Sequence, residues 1–218
     1  MTDLFEPLPT SAGTRRKENT RQRLVQASLD VFVDKGVDGV TVDDIVKAAG
    51  FTRGAFYSNF SNKEEVFLAL FSSVTDELLT ILRTEVEGAI PVTAPDPCLR
   101  EDPDAAVLVA AFEALRPYSR QWYLLYTDAV THSLREAEMR AALSSELGRL
   151  RDAVAHLLAR GMEQNGERSR LPLPDLAQLL VGIFLDLMLR ELLDGREDVT
   201  ELAATTILGT LHAFLEPA

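Results

Sequence analysis

The segment TVDDIVKAAGFTRGAFYSNFSNKEEVF, residues 41–67, has the pattern of two short helices joined by a tight turn. Thr41 is followed three residues later by Asp44, and this capping-box variant predicts the start of the first helix. Gly50 is a typical helix terminator and predicts where that helix ends. A second short helix is predicted over residues 53–60. Two helices in this arrangement are typical of a helix-turn-helix, which lays its second helix in the DNA major groove.

The residue types inside the segment divide into a core and an exposed face. Apolar side chains at helical spacing predict a small core of Ile45, Ala49, Phe51 and Phe56. Gly54 and Ala55 would keep the second helix flat enough to approach bases. The polar residues predicted to face outward are Thr41, Thr52, Arg53, Tyr57, Ser58 and Asn59.

Charge is distributed unevenly along the chain. The formal net charge is −12, yet residues 14–63 contain nine cations and six anions, a net of +3 that leaves −15 for the rest. Every lysine lies at or before position 63. This pattern indicates a basic N-terminal part that can bind nucleic acid and an acidic remainder.

The remaining sequence predicts an all-α protein, because apolar residues recur at helical spacing and no convincing period-two alternation is present. A first helix is predicted from about residue 14 to a stop at Gly36, and Ser61-Asn-Lys-Glu64 is a capping-box pattern that predicts the start of a long helix. Four prolines interrupt residues 88–104. Further helices are predicted over residues 105–115, 118–136, 137–164, 174–193 and 199–215. The predicted domains are a disordered tail at 1–13, a DNA-binding domain at 14–62 and a helical body at 63–218.

Composition excludes several classes of protein. Cys98 is the only cysteine, so neither an intramolecular disulfide nor a multi-cysteine metal site is expected. No apolar run has the length of about 18 to 20 residues that spans a bilayer, and the acidic N-terminus does not resemble a signal peptide. We therefore expect a cytoplasmic protein without a metal or other cofactor.

Residues 41–67, together with VFVDKGVDG at 31–39, resemble the tetracycline-repressor (TetR) family of transcriptional regulators. The similarity covers roughly residues 15–70. Ser58 and Asn59 depart from the residues that the family most often has there. The residues that match the family pattern at fixed offsets are Thr41, Ile45, Val46, Ala49, Gly50, Phe51, Thr52, Gly54, Tyr57, Phe60, Lys63, Glu64, Val66 and Phe67.

The resemblance implies a role for each side chain near DNA. Residues 53–60 would be the recognition helix, with Thr52, Arg53, Ala55 and Asn59 nearest the bases. Thr41, Tyr57 and Lys63 would contact phosphates, and Lys63 would do so at a helix N-terminus. Arg15, Arg16 and Lys17 would reach the backbone or an adjacent minor groove.

The resemblance further implies an effector pocket and a dimer interface in the body. Trp122, Tyr123, Tyr126 and His132 fall close together on one predicted helix, and either core packing or a pocket for an apolar ligand explains them. The apolar stretch LPDLAQLLVGIFLDLMLREL requires a covering partner, and Asp186 within it is expected to pair with Arg190. The candidate interface residues are Leu176, Leu180, Ile183, Phe184, Leu187, Leu211 and Phe214.

We therefore expect a homodimeric regulator, a repressor rather than an activator, that binds a near-palindromic operator and responds to a small-molecule effector. A helical-bundle enzyme is the alternative from another class. None of His132, His156 and His212 has the Glu three residues earlier that a di-iron bundle site needs. No phosphate-binding or nucleophile motif is present either, so an enzyme is not expected. An effector-independent DNA-binding protein would not need so large an acidic body.

Overall fold

The computed structural model describes residues 16–88, 103–194 and 199–218. The described chain is almost entirely helical, which confirms the predicted fold class. Its N-terminal helices are α1 (Arg16–Gly39), α2 (Val42–Ala49), α3 (Arg53–Tyr57) and α4 (Lys63–Gly88). They are followed by α5 (Pro103–Leu115), a 3₁₀ turn (Arg116–Tyr118), α6 (Ser119–Ser133) and α7 (Ala137–Asn165). The C-terminal elements are β1 (Glu167–Ser169), α8 (Leu173–Asp194), α9 (Val199–Phe214) and β2 (Leu215–Pro217).

The two short strands were not predicted. They pair antiparallel, with Arg168 opposite Glu216. The Glu216 carboxylate lies 2.9 Å from Nη2 of Arg168 and 2.7 Å from Nε of Arg170. Three-residue strands are too short for an alternating pattern, and this pairing joins segments that are distant in sequence.

The chain divides into two compact units. The first contains the described residues up to Glu77 together with Leu124–Ser144, and the second contains Leu78–Tyr123 and Ser145–Ala218. The boundary therefore falls inside α4, α6 and α7, so each of these helices begins in one unit and ends in the other. The proline-rich residues 89–102 lie outside the described residues, as does the predicted tail at 1–13.

The core of the first unit explains why its short helices form. Phe32 of α1 and Phe67 of α4 meet edge to face with ring centroids 5.2 Å apart, and Phe67 stacks on Phe71 at 6.3 Å. Ile45 of α2 and Phe56 of α3 are fully buried. Each buried aromatic or branched side chain contributes about 1.5 to 3 kcal/mol, so packing rather than intrinsic propensity stabilises α2 and α3.

Two glycines end the helices around α2. Gly36 has φ +68° and ψ 167°, a conformation open almost only to glycine, and interrupts α1 as predicted. Gly50 has φ +69° and ψ 33° and caps α2 in the left-handed region, where its N–H donates to the Lys47 carbonyl at 3.3 Å. A Cβ at Gly36 would lie 3.3 Å from Oδ2 of Asp128, whereas a Cβ at Gly50 would meet nothing within 4 Å among the described residues.

We expect alanine to be tolerated differently at these two glycines. Gly50→Ala should lower the free energy of unfolding by about 1 to 2 kcal/mol, the cost of a Cβ in the left-handed region. Gly36→Ala should cost about 2 to 3 kcal/mol, because its conformation is rarer and the Asp128 carboxylate crowds the new methyl group. Chemical denaturation of both variants measures the difference. Equal losses would contradict a special constraint at Gly36.

Candidate nucleic-acid interface

Reciprocal hydrogen bonds at the start of α2 confirm the predicted capping box. The hydroxyl of Thr41 accepts from the Asp44 N–H at 3.2 Å, and the Asp44 carboxylate accepts from the Thr41 N–H at 3.0 Å. Hydrogen bonds from Lys35 and then from Thr41 hold the pKa of Asp44 well below its usual range. The Thr41 side chain, expected near a phosphate, is thus engaged in the cap and remains exposed.

The recognition helix is shorter than predicted. Thr52 caps it by accepting from the Ala55 N–H at 3.2 Å, but α3 ends at Tyr57 rather than at residue 60. The Ser58 hydroxyl donates to the Gly54 carbonyl at 2.8 Å, and the Asn59 amide nitrogen donates to the Ala55 carbonyl at 2.7 Å. Ser and Asn side chains compete with the helix for backbone partners in this way, which accounts for the early end.

One face of α3 is exposed and polar. It consists of Thr52, Arg53, Gly54, Tyr57 and Ser58, and Tyr57 is 60% exposed. Ala55 is half-buried. Five of the residues expected at the bases or backbone therefore share one accessible surface.

Asn59 was expected on this face, but it does not lie there. Its amide nitrogen binds within the helix, and its Oδ1 is buried without a hydrogen-bond partner among the described residues. The Asn59 side chain thus faces the protein in this structure. A base contact would require the side chain to rotate away from the Ala55 carbonyl.

Two arginines of α1 support the aromatic residues on either side of α3. The guanidinium of Arg21 lies 4.1 Å from the ring centroid of Phe60 and donates to the Asn59 carbonyl at 2.8 Å. The guanidinium of Arg23 lies 4.7 Å from the ring centroid of Phe51. These cation–π contacts use part of the basic charge of the N-terminal region for packing, a role that the sequence did not indicate.

Arg53 is held by a carboxylate from α2. Its Nε donates to Oδ1 of Asp43 at 2.5 Å, and Nη2 donates to Oδ2 of the same carboxylate. The hydrogen bond from Arg53 lowers the pKa of Asp43, and the same bond raises the pKa of Arg53. Both groups are therefore charged at neutral pH, although both are largely exposed.

Lys63, expected at a phosphate, has a structural role here. Its ammonium donates to the carbonyls of Val37 at 2.7 Å, Val40 at 2.9 Å and Asp38 at 3.2 Å. An ammonium has three N–H donors, so this set uses all of them. Lys63 thereby fixes the turn that leads from α1 into α2.

The same turn is held from α6. Oδ2 of Asp128 accepts from the Val37 N–H at 3.0 Å. Nε2 of His132 lies 3.6 Å from a carboxylate oxygen of Asp38, and Nδ1 of His132 lies 3.3 Å from Glu136. His132 is therefore placed at this turn and not in the apolar cavity described below, contrary to the sequence-based expectation.

The N-cap of α4 is one residue later than predicted. The Glu65 N–H donates to Oδ1 of Asn62 at 2.8 Å, and the Ser61 N–H donates to the Glu65 carboxylate at 2.8 Å. Asn62 rather than Ser61 is thus the cap.

Of the basic N-terminal run, Arg15 and the side chains of Arg16 and Lys17 lie outside the described part of the structure.

Comparison with known proteins agrees with this geometry. A family model described as "Bacterial regulatory proteins, tetR family" matches residues 24–70. The HTH-type transcriptional regulator SrpR of Pseudomonas putida is 31% identical over 203 residues, which span 91% of this chain and 86% of that protein. This chain belongs to the TetR family. The transcriptional activator FasR of Mycolicibacterium smegmatis is 29% identical over 182 residues, or 81% of this chain and 76% of FasR.

A solved TetR-family regulator from Cytophaga hutchinsonii has the same fold. It superimposes with a TM-score of 0.73 at 14% identity, covering 93% of this chain and 98% of that one. The protein is therefore a TetR-family transcriptional regulator with a DNA-binding helix-turn-helix, and no enzymatic family is indicated. Within the described residues, no acidic, histidine or cysteine cluster could hold a metal, and no helix has the length and apolarity to cross a bilayer.

The second unit of this TetR-family chain contains a cavity lined wholly by apolar side chains. Its volume is about 50 Å³. Of the residues that the sequence offered for either core packing or a ligand pocket, Trp122 lines this cavity, whereas Tyr123 and Tyr126 do not. The buried stripe of α6 runs through Trp122, Leu125 and Ala129, so both tyrosines lie beside it. The other lining residues are Leu78, Leu82, Leu108, Leu115, Leu150, Val154, Val181, Phe184, Leu185 and Met188.

The predicted dimer-interface residues divide into two groups. Leu176, Leu180 and Leu211 are buried in the core of the second unit, and Phe184, which is half-buried, lines the cavity. Ile183, which is half-buried, and Leu187, which is only 2% exposed, line an open groove between α8 and α9. Phe214 is half-buried. The predicted pair is present in this groove, with Nε of Arg190 2.6 Å from Asp186. The other groove residues are Gln178, Leu179, Gly182, Leu202 and Thr206.

Replacing Lys63 by methionine separates its two possible roles. Because three carbonyls would lose a charged donor, Lys63→Met should lower the free energy of unfolding by about 1 to 3 kcal/mol. If the ammonium only fixes the turn, the salt dependence of DNA binding should keep its slope. Thermal denaturation and binding titrations at several salt concentrations measure both. Unchanged stability with a slope reduced by about one would instead establish the phosphate contact.

Proposed function

We propose that this TetR-family regulator binds a near-palindromic operator as a homodimer and releases it when a small apolar effector occupies the second unit. The observation that carries the proposal is the exposed polar face of α3, presented by two capped helices on a buried aromatic core. In a helix-turn-helix the N-terminal residues of the second helix contact base edges, and here those residues are Thr52, Arg53 and Gly54.

The proposed DNA contacts extend beyond this face. Tyr57 and Ser58 would contact the backbone or the edge of the groove. Thr41 is the N-cap of α2, the helix that crosses the DNA backbone in this motif. The exposed side of Thr41 would therefore lie nearest a phosphate. The basic residues Arg15, Arg16 and Lys17 would follow the backbone beyond the major groove. The cytoplasm is the proposed compartment, since the operator lies there.

Dimerisation is proposed through the groove between α8 and α9. Leu179 is 45% exposed there, and Gly182 is exposed one turn away. A small residue beside an exposed leucine side chain allows a second helix to approach closely. Two-fold symmetry would place paired recognition helices about 34 to 36 Å apart, one turn of DNA.

The proposed effector is uncharged and apolar, because no polar side chain lines the cavity to compensate a charge. A cavity of about 50 Å³ is smaller than a drug-sized molecule, so binding must displace lining side chains. Leu78 and Leu82 lie on α4, and Trp122 lies on α6. Both helices continue into the first unit, where Lys63 and Asp128 hold the turn before α2.

The proposed direction of regulation is repression. A ligand that couples to DNA binding typically changes affinity by about 1 to 3 kcal/mol, and a near-complete switch needs about 5.5 kcal/mol. One relative, FasR, is named an activator, so the effect of the regulator on transcription has to be measured together with the binding.

Operator binding and dimerisation can be tested together by fluorescence anisotropy. We expect the wild-type dimer to bind a duplex from its own upstream DNA far more tightly than a scrambled duplex, with strong salt dependence. Leu179→Glu should give a monomer by light scattering and lose operator affinity, because a charge enters the groove. Leu134→Glu is the matched control, since Leu134 is an exposed leucine outside the groove. Equal binding of both duplexes by the wild type would refute operator recognition.

Trp122 is the only tryptophan in the chain, so its fluorescence reports directly on the cavity. We expect N-phenyl-1-naphthylamine, an uncharged apolar probe, to quench Trp122 and to weaken operator binding. Val154→Asp should prevent both effects, because it buries a carboxylate among apolar side chains. The anionic probe 1-anilinonaphthalene-8-sulfonate should bind more weakly. Quenching with unchanged operator affinity at saturation would refute coupling but leave DNA recognition intact.

A further inference from the structure

The ion pair between Arg53 and Asp43 joins the two helices of the DNA-binding motif. Arg53 is the first residue and the only cation of α3, and Asp43 lies in the first turn of α2. The contact is side-on: Nε and Nη2 of the guanidinium face the two carboxylate oxygens. Bidentate geometry fixes the plane of the guanidinium as well as its position.

The donors that remain on Arg53 form a second fork. A guanidinium has five N–H groups, and Asp43 uses one on Nε and one on Nη2. Two N–H groups on Nη1 and one on Nη2 are left, and Nη1 makes no hydrogen bond within the described part of the chain. The Nη1–Nη2 edge is the end of the side chain, farthest from the α3 backbone. Its two parallel donors match the O6 and N7 acceptors of guanine.

Asp43 lies in the first turn of α2, where the helix dipole modestly favours an exposed carboxylate, but bound DNA opposes its charge. Asp43 is exposed on the helix that crosses the DNA backbone, where its charge repels phosphates. A surface ion pair contributes little to stability, so stability does not account for it. A fixed orientation of Arg53 does account for it, because a free arginine side chain has many rotamers and can bind phosphates of any sequence.

We propose that Asp43 is a specificity-determining residue that orients Arg53 so that its end-on fork reads one guanine in each half-site. Asp43 keeps its side-on contact in the complex, and it touches no base itself. This role rests on the proposed operator binding through α3. Asp43 is a positioning residue, and its removal should change base preference more than total affinity.

The test measures preference at each position of the half-site. A duplex library with a random centre is first selected with the wild-type protein, and anisotropy then measures affinity for the four base pairs at every position. We expect a guanine preference of about fivefold to 150-fold at one position, which Arg53→Ala removes. Asp43→Ala should reduce that preference by about fivefold or more while other positions stay unchanged. Asp43→Asn, which keeps one acceptor, should lie between.

Asp34→Ala is the matched control, because Asp34 is an exposed carboxylate of the same basic region on α1. It removes the same charge and should strengthen binding to all duplexes alike. Combining Asp43→Ala with Arg53→Ala should add no further loss at the guanine position, since both act through one contact. Circular dichroism melts of each variant verify that α2 remains folded.

Three results would overturn the proposal. If Asp43→Ala behaves like Asp34→Ala at every position, Asp43 contributes only charge. If the guanine preference survives in Asp43→Ala but not in Arg53→Ala, Arg53 reads DNA without Asp43. If the wild type selects no sequence while remaining a folded dimer, the proposed operator binding fails first, and the role of Asp43 fails with it.

Discussion

A helix of five residues is not stable alone in water, and the proposed reading surface of this regulator is such a helix. Its existence depends on Phe56, which is fully buried although the residues on either side of it are exposed or half-buried. Phe56 contacts the rings of Tyr57 at 5.3 Å and Phe60 at 5.9 Å. A change at this one side chain would therefore disorder the whole polar face of α3, because capping by Thr52 alone contributes only about 1 kcal/mol.

Formal charge overstates the cationic surface that DNA would meet. Of the cations between residues 14 and 63, Arg21 and Arg23 lie over aromatic rings, Lys35 binds Asp44, and Lys63 binds three carbonyls. Local structure thus uses much of the positive charge that the sequence displays. These groups keep their charges and still contribute to long-range attraction, but their side chains are engaged within the protein, while the charge on α3 is concentrated in one oriented side chain.

The sequence predicted several features that depend on neighbouring residues, but not every local contact. The Thr41 capping box, the glycine terminators and the Asp186–Arg190 pair are local, and all are present. The end of α3 was wrong because Ser58 and Asn59 bond to their own helix, a competition that apolar periodicity does not reveal. Tyr123 and Tyr126 do not line the cavity with Trp122, because proximity along a helix is not the same as a shared face.

The sequence did not predict the long-range contacts, for a different reason. Asp128 and Val37 are 91 residues apart, and nothing near either residue marks the hydrogen bond between them. The same limit applied to the interface residues: an apolar stretch shows that a helix is covered, but not which side faces its own unit. Leu176 and Leu180 face the core, whereas Leu179 between them does not.

The turn between α1 and α2 follows directly from these long-range contacts. Its carbonyls bind the first residue of α4, and its Val37 N–H binds α6. The Lys63 ammonium and the Asp128 carboxylate hold the turn by hydrogen bonds, so it cannot easily take up strain by rearranging. Under the proposed function, a shift of α4 or α6 caused by an effector would therefore move the start of α2 instead of being absorbed in the loop. Such coupling requires a stiff turn between the cavity-lining helices α4 and α6 and the DNA-binding helices α2 and α3. A flexible turn would absorb the displacement.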